Sequence, residues 1–263
     1  MNKNKIFSIA STEDFKKVTL EVFNYQFENN PVYQKFCKLL NTIPKAVKEI
    51  DQIPFLPINF FKSETVLSSK EKIQKTFTSS GTTGSNTSKH HITDLSIYEE
   101  SFFKAFRAFY GNIEDYAVLA LLPSYLERDG SSLIYMADHL IKASKHPKSG
   151  FYLDNLEELK QNLITLDNSG QKVLLIGVSF ALLDLVENFK FSLKNTIVME
   201  TGGMKGRRKE MIREELHKIL SEGFGVAAIH SEYGMTEILS QAYSKGNGVF
   251  ECPPWMKILI RDP

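Results

Sequence analysis

Apolar residues recur at a helical spacing along the first 50 positions: Phe15, Val18, Val22, Tyr25 and Phe27 form one stripe, opened by Ser11 and Asp14 in a capping-box pattern. A second helix is expected after Pro31. Residues 53–62, IPFLPINFFK, break the pattern, because prolines at 54 and 57 end helices and suit an extended segment or an edge strand. From Thr76 the chain alternates short β-like runs with helical ones: KTFTSS, residues 95–109, YAVLALLPS, SSLIYMADHLIKA, residues 156–166, KVLLIGVS, FALLDLVENF, NTIVMETGG, RRKEMIREELHKIL and GVAAIHSEYG. YAVLALL, KVLLI and GVAAI are nearly continuous Val, Ile, Leu and Ala, as strands buried on both faces must be. The pattern predicts a helical segment over 1–52 followed by an α/β lobe over 53–263, with a mainly parallel sheet flanked by helices. Right-handed crossovers would gather several strand ends along one edge, where such sheets take their ligands.

Composition narrows the function. The 263 residues are 42% hydrophobic and 24% charged, which suits one large or two small globular domains. Thirty-two Lys and Arg against 31 Asp and Glu leave a formal charge of +1, so no overall field attracts nucleic acid or anionic lipid. Cys37 and Cys252 are far apart and outside any CxxC spacing, which argues against a disulfide scaffold or a zinc site and for a cytoplasmic protein. The longest apolar stretch, residues 173–186, is too short to span a bilayer and contains Asp184, so no membrane insertion is expected.

Three loops carry candidate chemistry. In residues 76–92, TFTSSGTTGSNTSKHHI, a β-like run opens into hydroxyls and glycines ending at Lys89; backbone N–H groups, hydroxyls and an ammonium are what a polyphosphate cradle needs. Asn86 stands where a Walker A loop would have glycine. HSEYGMTE, residues 230–237, places Glu237 beside Thr236, a pair suited to Mg²⁺ and a phosphate oxygen. ETGGMKGRRKE, residues 200–210, offers Gly202 and Gly203 for close approach of a flat ring, with Lys205, Arg207 and Arg208 crowding positive charge nearby. Each loop taken singly also fits an ordinary solvated turn.

Residues 78–89 resemble the phosphate loop of the adenylate-forming enzymes, and residues 233–237 match their YGxTE signature. Within that superfamily the chain resembles the LuxE-type acyl-protein synthetases in seven ordered blocks: PFLPINFFKSE, FTSSGTTGSNTS, PSYLERDGSSLIYM, GVSFALLDL, METGGMKGRRKEM, EYGMTEILSQAYS and PPWMKILIRDP, from about Pro54 to Pro263. The resemblance implies the N-terminal lobe of an adenylate-forming fold. It implies activation of a carboxylic acid, expected to be fatty, by ATP and Mg²⁺ as an acyl-adenylate, then transfer to a protein cysteine and on to an acyl-CoA reductase or acyl carrier partner. By the same likeness Ser79, Ser80, Gly81, Thr82, Thr83, Gly84 and Lys89 would hold the β- and γ-phosphates, Thr236 the α-phosphate and Glu237 the Mg²⁺. Gly202 and Gly203 would line the adenine, with Tyr233 and Gly234 on its other side. The family's ribose-binding Asp, hinge, C-terminal lobe and acceptor cysteine would fall beyond Pro263, so the chain is expected to be the large lobe alone.

Two rival readings stand beside this one. Gly177, Ser179 and Ala181 form a GxSxA that follows a strand, nearly the nucleophile elbow of α/β-hydrolases; Ser179 would then work with His217 or His230 and with Asp184. The structural alternative has Ser179 cap a helix, with Phe180, Leu182 and Leu183 lining a core or an acyl pocket. A non-catalytic subunit of an acyl-reductase complex is the third class. Cys252 is a conceivable acyl acceptor, though a small buried hydrophobe fits it better. His230 is expected to end a buried strand close to the Tyr233 loop.

Overall fold

The structure is a computed structural model that describes residues 3–79, 87–123, 130–202 and 208–260. The N-terminal helices are α1 (Asn4–Phe7), α2 (Thr12–Asn29) and α3 (Pro31–Leu39). Ser11 caps α2: its Oγ accepts from Asp14 N at 3.0 Å and donates to Asp14 Oδ2 at 2.8 Å. Asn30 caps α3 in the same way, and Pro31 sits where its missing N–H costs nothing. These helices and the segment after them bury Phe23, Tyr33, Cys37, Val47 and Ile53 as a small cluster of their own. The Pro54–Pro57 stretch is neither helix nor strand and runs into the short helix α4 (Phe60–Ser63).

The remaining elements are the strands β1 (Lys75–Thr78) and β2 (Lys89–Ile92), α5 (Leu95–Tyr110), β3 (Tyr116–Leu121), α6 (Ser132–Ser144), β4 (Gly150–Phe151), α7 (Leu156–Asn168), β5 (Lys172–Val178), α8 (Ser179–Asn188), β6 (Thr196–Thr201), α9 (Arg213–Phe224), β7 (His230–Tyr233) and β8 (Ala242–Ser244). The main sheet has the order β4-β3-β5-β6-β7-β8; its first five strands are parallel and β8 is antiparallel to β7. The expected α/β fold with a mainly parallel sheet is therefore present. Beyond the opening pair of Tyr116 with the exposed Lys172, β3 and β5 are apolar and buried where they pair, as a sheet covered on both sides demands. Right-handed crossovers put α6 on one face, packed against α5, and α7, α8 and α9 on the other.

Two expectations are corrected. β1 pairs only with β2, as a separate antiparallel hairpin, so the hydroxyl-rich loop joins two strands of that hairpin and does not end a strand of the main sheet. The hairpin reaches the main sheet's edge through a hydrogen bond from Thr78 N to Gly130 O at 2.7 Å. Gly130 has φ +91°, and a Cβ there would lie 2.8 Å from Thr78 Oγ1, so this junction requires glycine. Second, strand β7 comprises HSEY, whereas residues 226–229 precede it without strand structure. His230 therefore opens the strand; its Nδ1 lies 3.2 Å from Tyr110 Oη at the end of α5, away from the Tyr233 loop.

Asp167, buried near the end of α7, fixes the entry of β6. Its carboxylate accepts from Lys194 N, from Asn195 N at 2.8 Å and from Thr196 Oγ1 at 2.8 Å. Removing it takes the acceptor from two backbone donors, those of the exposed residues Lys194 and Asn195, and empties the buried position of the carboxylate. Asp167→Ala should lower unfolding stability by roughly 2–4 kcal/mol in urea titrations, with less loss for Asp167→Asn, which keeps one acceptor.

Candidate functional site

The in-register parallel pairing of β5, β6 and β7 aligns Gly177 with Glu200 and Glu200 with Ser231, and aligns Val178 with Thr201 and Thr201 with Glu232. Side chains alternate along a strand, so Glu200 and Ser231 face one side of the sheet and Thr201 and Glu232 the other. A cavity of about 620 Å³ caps this carboxyl edge and is lined by Glu200, Thr201, Gly202, Glu232, Tyr233 and Thr236, among others. It lies where doubly wound sheets take their ligands.

On the side of α8 and α9, Glu200 is buried; its Oε1 lies 3.6 Å from Arg213 Nε and 3.5 Å from His217 Nε2. Arg213 also lies over the Phe250 ring, 5.0 Å from its centroid. On the other side, Glu232 Oε2 accepts from Thr201 Oγ1 at 2.7 Å, while Oε1 points toward Gly234, where an added Cβ would lie 2.6 Å from it. Gly234 thus leaves room for the carboxylate. Gln241 donates to Tyr98 Oη at 3.1 Å, and Tyr98 donates onward to Ser132 O at 3.0 Å. The Gln241 Oε1 acceptor is buried without a partner. The floor of the cavity is therefore polar and rich in acceptors, which suits a ligand group that donates hydrogen bonds.

Burial pushes the Glu232 carboxyl up to about 7; the Thr201 hydrogen bond opposes the shift and the nearby Glu200 adds to it. At the mouth, Tyr233 is exposed, with its ring edge-on to Phe250 at 6.1 Å between centroids.

The structure brings some expected residues together and separates others. Gly202, Tyr233, Gly234 and Thr236 line the cavity. Glu237 lines a second cavity of about 520 Å³ with Tyr25, Asn30, Phe61, His91 and Leu239; the Thr236–Glu237 turn divides the two cavities. His90 Nδ1 lies 2.9 Å from Thr236 O and ties that turn to the hairpin. Lys89 lines neither cavity, but its register opposite Thr78, which does line the first, puts the two side chains on one face of the hairpin. Ser79 accepts from Ser88 N at 3.0 Å across the base of the same hairpin. Ser80, Gly81, Thr82, Thr83, Gly84 and Gly203 lie outside the described residues, as do Lys205 and Arg207. Arg208 adds no free charge to the site, since it is paired with Asp184 and, at 2.6 Å, with Glu187 on α8.

The hydrolase arrangement is not assembled. Ser179 Oγ donates to Gly202 O at 2.6 Å, Asp184 is engaged by Arg208, His230 meets Tyr110, and His217 faces Glu200. Ser179 is buried and makes no capping bond to α8. Of GVSFALLDL only Ser179 lines the first cavity; Phe180, Leu182 and Leu183 are core residues, so the apolar wall expected there is absent from it. Burial raises the thiol pKa of both Cys37 and Cys252, which makes each a poorer nucleophile than an exposed cysteine. Glu200, Glu232, Arg213 and Gln241 were not singled out by sequence reasoning. Their signal was a carboxylate inside each of two β-like runs otherwise expected to be apolar. Among the described residues no three His, Cys, Asp or Glu side chains cluster as a metal site, and no helix is long and apolar enough to cross a membrane.

Residues 7–99 match the protein family described as acyl-protein synthetase, LuxE. The match begins well before Pro54, where the sequence likeness was first read, and covers two of the seven blocks. The chain is also 35% identical over 63 residues to a long-chain-fatty-acid–luciferin-component ligase of Vibrio harveyi, and 36% identical over 70 residues to one of Photorhabdus luminescens. The aligned segments are 24% and 26% of this chain and span 16% and 60% of those proteins.

Because the folded protein holds the Glu232 proton to a higher pH than the unfolded chain does, this group's stabilisation is full below about pH 4.5 and is lost as pH rises to about 7. His90 and His230, lowered by burial, act in the opposite sense over part of that range, so the difference between two proteins is the readout. Relative to the parent, Glu232→Gln should gain stability between about pH 4 and about pH 8, by a few kcal/mol at roughly 1.4 kcal/mol per unit of displacement. Urea melts across that range check it.

Proposed function

We propose, taking as premise the LuxE-type character that residues 7–99 share with fatty-acid ligases, that the protein activates a fatty acid with ATP and delivers the acyl group to a protein thiol. The observation that carries this reading is the convergence of Gly202, Tyr233 and Thr236 on one cavity at the carboxyl edge of the sheet. Gly202 opens the way for a flat base, Tyr233 offers a ring face to it, and the Thr236 hydroxyl offers a donor to the α-phosphate. Lys89 and the hydroxyl loop of residues 79–84 would approach the β- and γ-phosphates from the hairpin, whose Thr78 already lines the cavity. The unpartnered Gln241 acceptor and the free oxygen of Glu232 suit an amino group deeper in the cavity.

Glu237 is the residue assigned to Mg²⁺. Its carboxylate stands on the turn that also carries Thr236, and Mg²⁺ needs only one or two protein carboxylates besides phosphate oxygens. The bound ion would neutralise phosphate charge and ease departure of pyrophosphate. The chain's own part is positioning: it replaces water around the phosphates with fixed donors and holds the acid's carboxylate in line with the α-phosphorus. Transfer to a thiol and the acyl-CoA reductase or carrier that receives the group belong to the same proposal.

Fatty-acid-dependent exchange of labelled pyrophosphate into ATP tests it. Thr236→Val should lower the exchange rate by roughly 10²-fold, the usual cost of one lost donor to transition-state charge, while leaving the melting temperature unchanged. Ester hydrolysis without ATP, abolished by Ser179→Ala, would replace this reading with the hydrolase one.

A further inference from the structure

The far end of α3 carries a surface that the nucleotide site does not use. Asn41, with φ +51°, ends the helix in a Schellman turn: Thr42 N donates to Cys37 O at 2.9 Å and Asn41 N to Lys38 O at 3.0 Å. Cys37 and Val47 on either side are buried and anchor the turn to the N-terminal cluster. The tip is thus fixed, yet it holds its large apolar side chains in water: Leu39 is 73% exposed, Leu40 53% and Ile43 51%. Flanking them in sequence are Lys35, Lys38, Lys45 and Lys48, all exposed, with no acidic residue between positions 35 and 48. The nearest acidic residue in sequence, Glu49, is paired with Lys16 at 2.5 Å.

We infer that this turn is a membrane-docking surface, which seats Leu39, Leu40 and Ile43 among the acyl chains of an anionic bilayer while the four lysines meet its headgroups. Apolar tips ringed by cations bind anionic lipid through two additive terms, burial of apolar area and attraction to the surface potential. A protein partner with an acidic, apolar groove would share the chemistry, but the convex shape of a tight turn and a run of lysines with no acidic residue from 35 to 48 favour a planar anionic surface. The near-neutral total charge does not oppose this, because surface attraction acts within a Debye length of the patch. The inference does not depend on the proposed ligase activity.

Vesicle cosedimentation tests it. The protein should sediment with equimolar phosphatidylcholine and phosphatidylglycerol vesicles at least tenfold more strongly than with phosphatidylcholine alone, and should release at about 1 M salt, where the Debye length is about 3 Å. Two surface variants separate the terms. Leu39→Ser with Leu40→Ser and Ile43→Ser, and Lys38→Gln with Lys45→Gln and Lys48→Gln, should each weaken binding at least fivefold while melting as the parent does. Absence of binding to anionic vesicles overturns the inference, as does binding that both variants retain. If the apolar variant instead converts a dimer into a monomer, the patch is an interface between copies of the chain and the lipid reading fails. Unchanged pyrophosphate exchange in both variants would keep these outcomes separate from the test of ligase activity.

Discussion

The register of β5, β6 and β7 is the constraint on which the site depends. A shift by one residue along β7 would exchange the faces of Ser231 and Glu232, take Glu232 from Thr201 and turn its carboxylate toward the side of Glu200. The register is held from the opposite end of the strands by apolar packing, in which Val173, Leu174, Leu175 and Ile176 on β5 and Val198 and Met199 on β6 are buried. The cost of two buried carboxylates at the edge is therefore supported by the core that precedes them. Glu200 is offset by Arg213, whereas Glu232 retains its proton over most of the acid range instead of carrying an unpaired charge.

That division gives the cavity two unlike sides. One has a cation, Arg213, beside an aromatic ring and a carboxylate; the other has the Gln241–Tyr98–Ser132 chain and a carboxyl group near its titration point. The acceptor side suits the amino group of the proposed base, and the Thr236 turn and Thr78 of the hairpin stand where its phosphates are proposed to lie. The hairpin is joined to the segment before α6 through Thr78 and Gly130, and His90 joins it to the Thr236 turn. Three parts distant in sequence are thus bound to one another at the cavity's rim, by a backbone hydrogen bond at Gly130 and by the His90 ring at the Thr236 carbonyl.

Much of the fold was legible because it rests on periodicity. YAVLALL, and KVLLIGV after its opening lysine, carry no polar position that could face water, and the caps at Ser11 and Asn30 are local chemistry. The strand in GVAAIHSEYG was misplaced because an apolar run was taken as the buried segment, while the residues that pair with β6 are His230, Ser231, Glu232 and Tyr233, polar ones whose strand character comes from their neighbour. The β1–β2 hairpin was half seen, since Lys89–Ile92 reads as the tail of a loop until Phe77 and Ile92 are found buried together. Of the site, the glycines and the YGxTE turn were visible as motifs. The placement of Glu237 in the neighbouring cavity, and the entry of Glu200 and Glu232 into the first, depend on strand register, which no local pattern carries.

ATP is proposed to bind in the cavity at the carboxyl edge of β6 and β7. Photolabelling with an azido-adenine analogue of ATP, followed by mapping of the modified peptide, tests it most directly. Label is expected on the segments around Gly202 and around Tyr233–Thr236, suppressed by excess ATP. ATP-suppressible label confined to the segments of Tyr25–Asn30 and Phe61–Glu71, which line the second cavity, would contradict it.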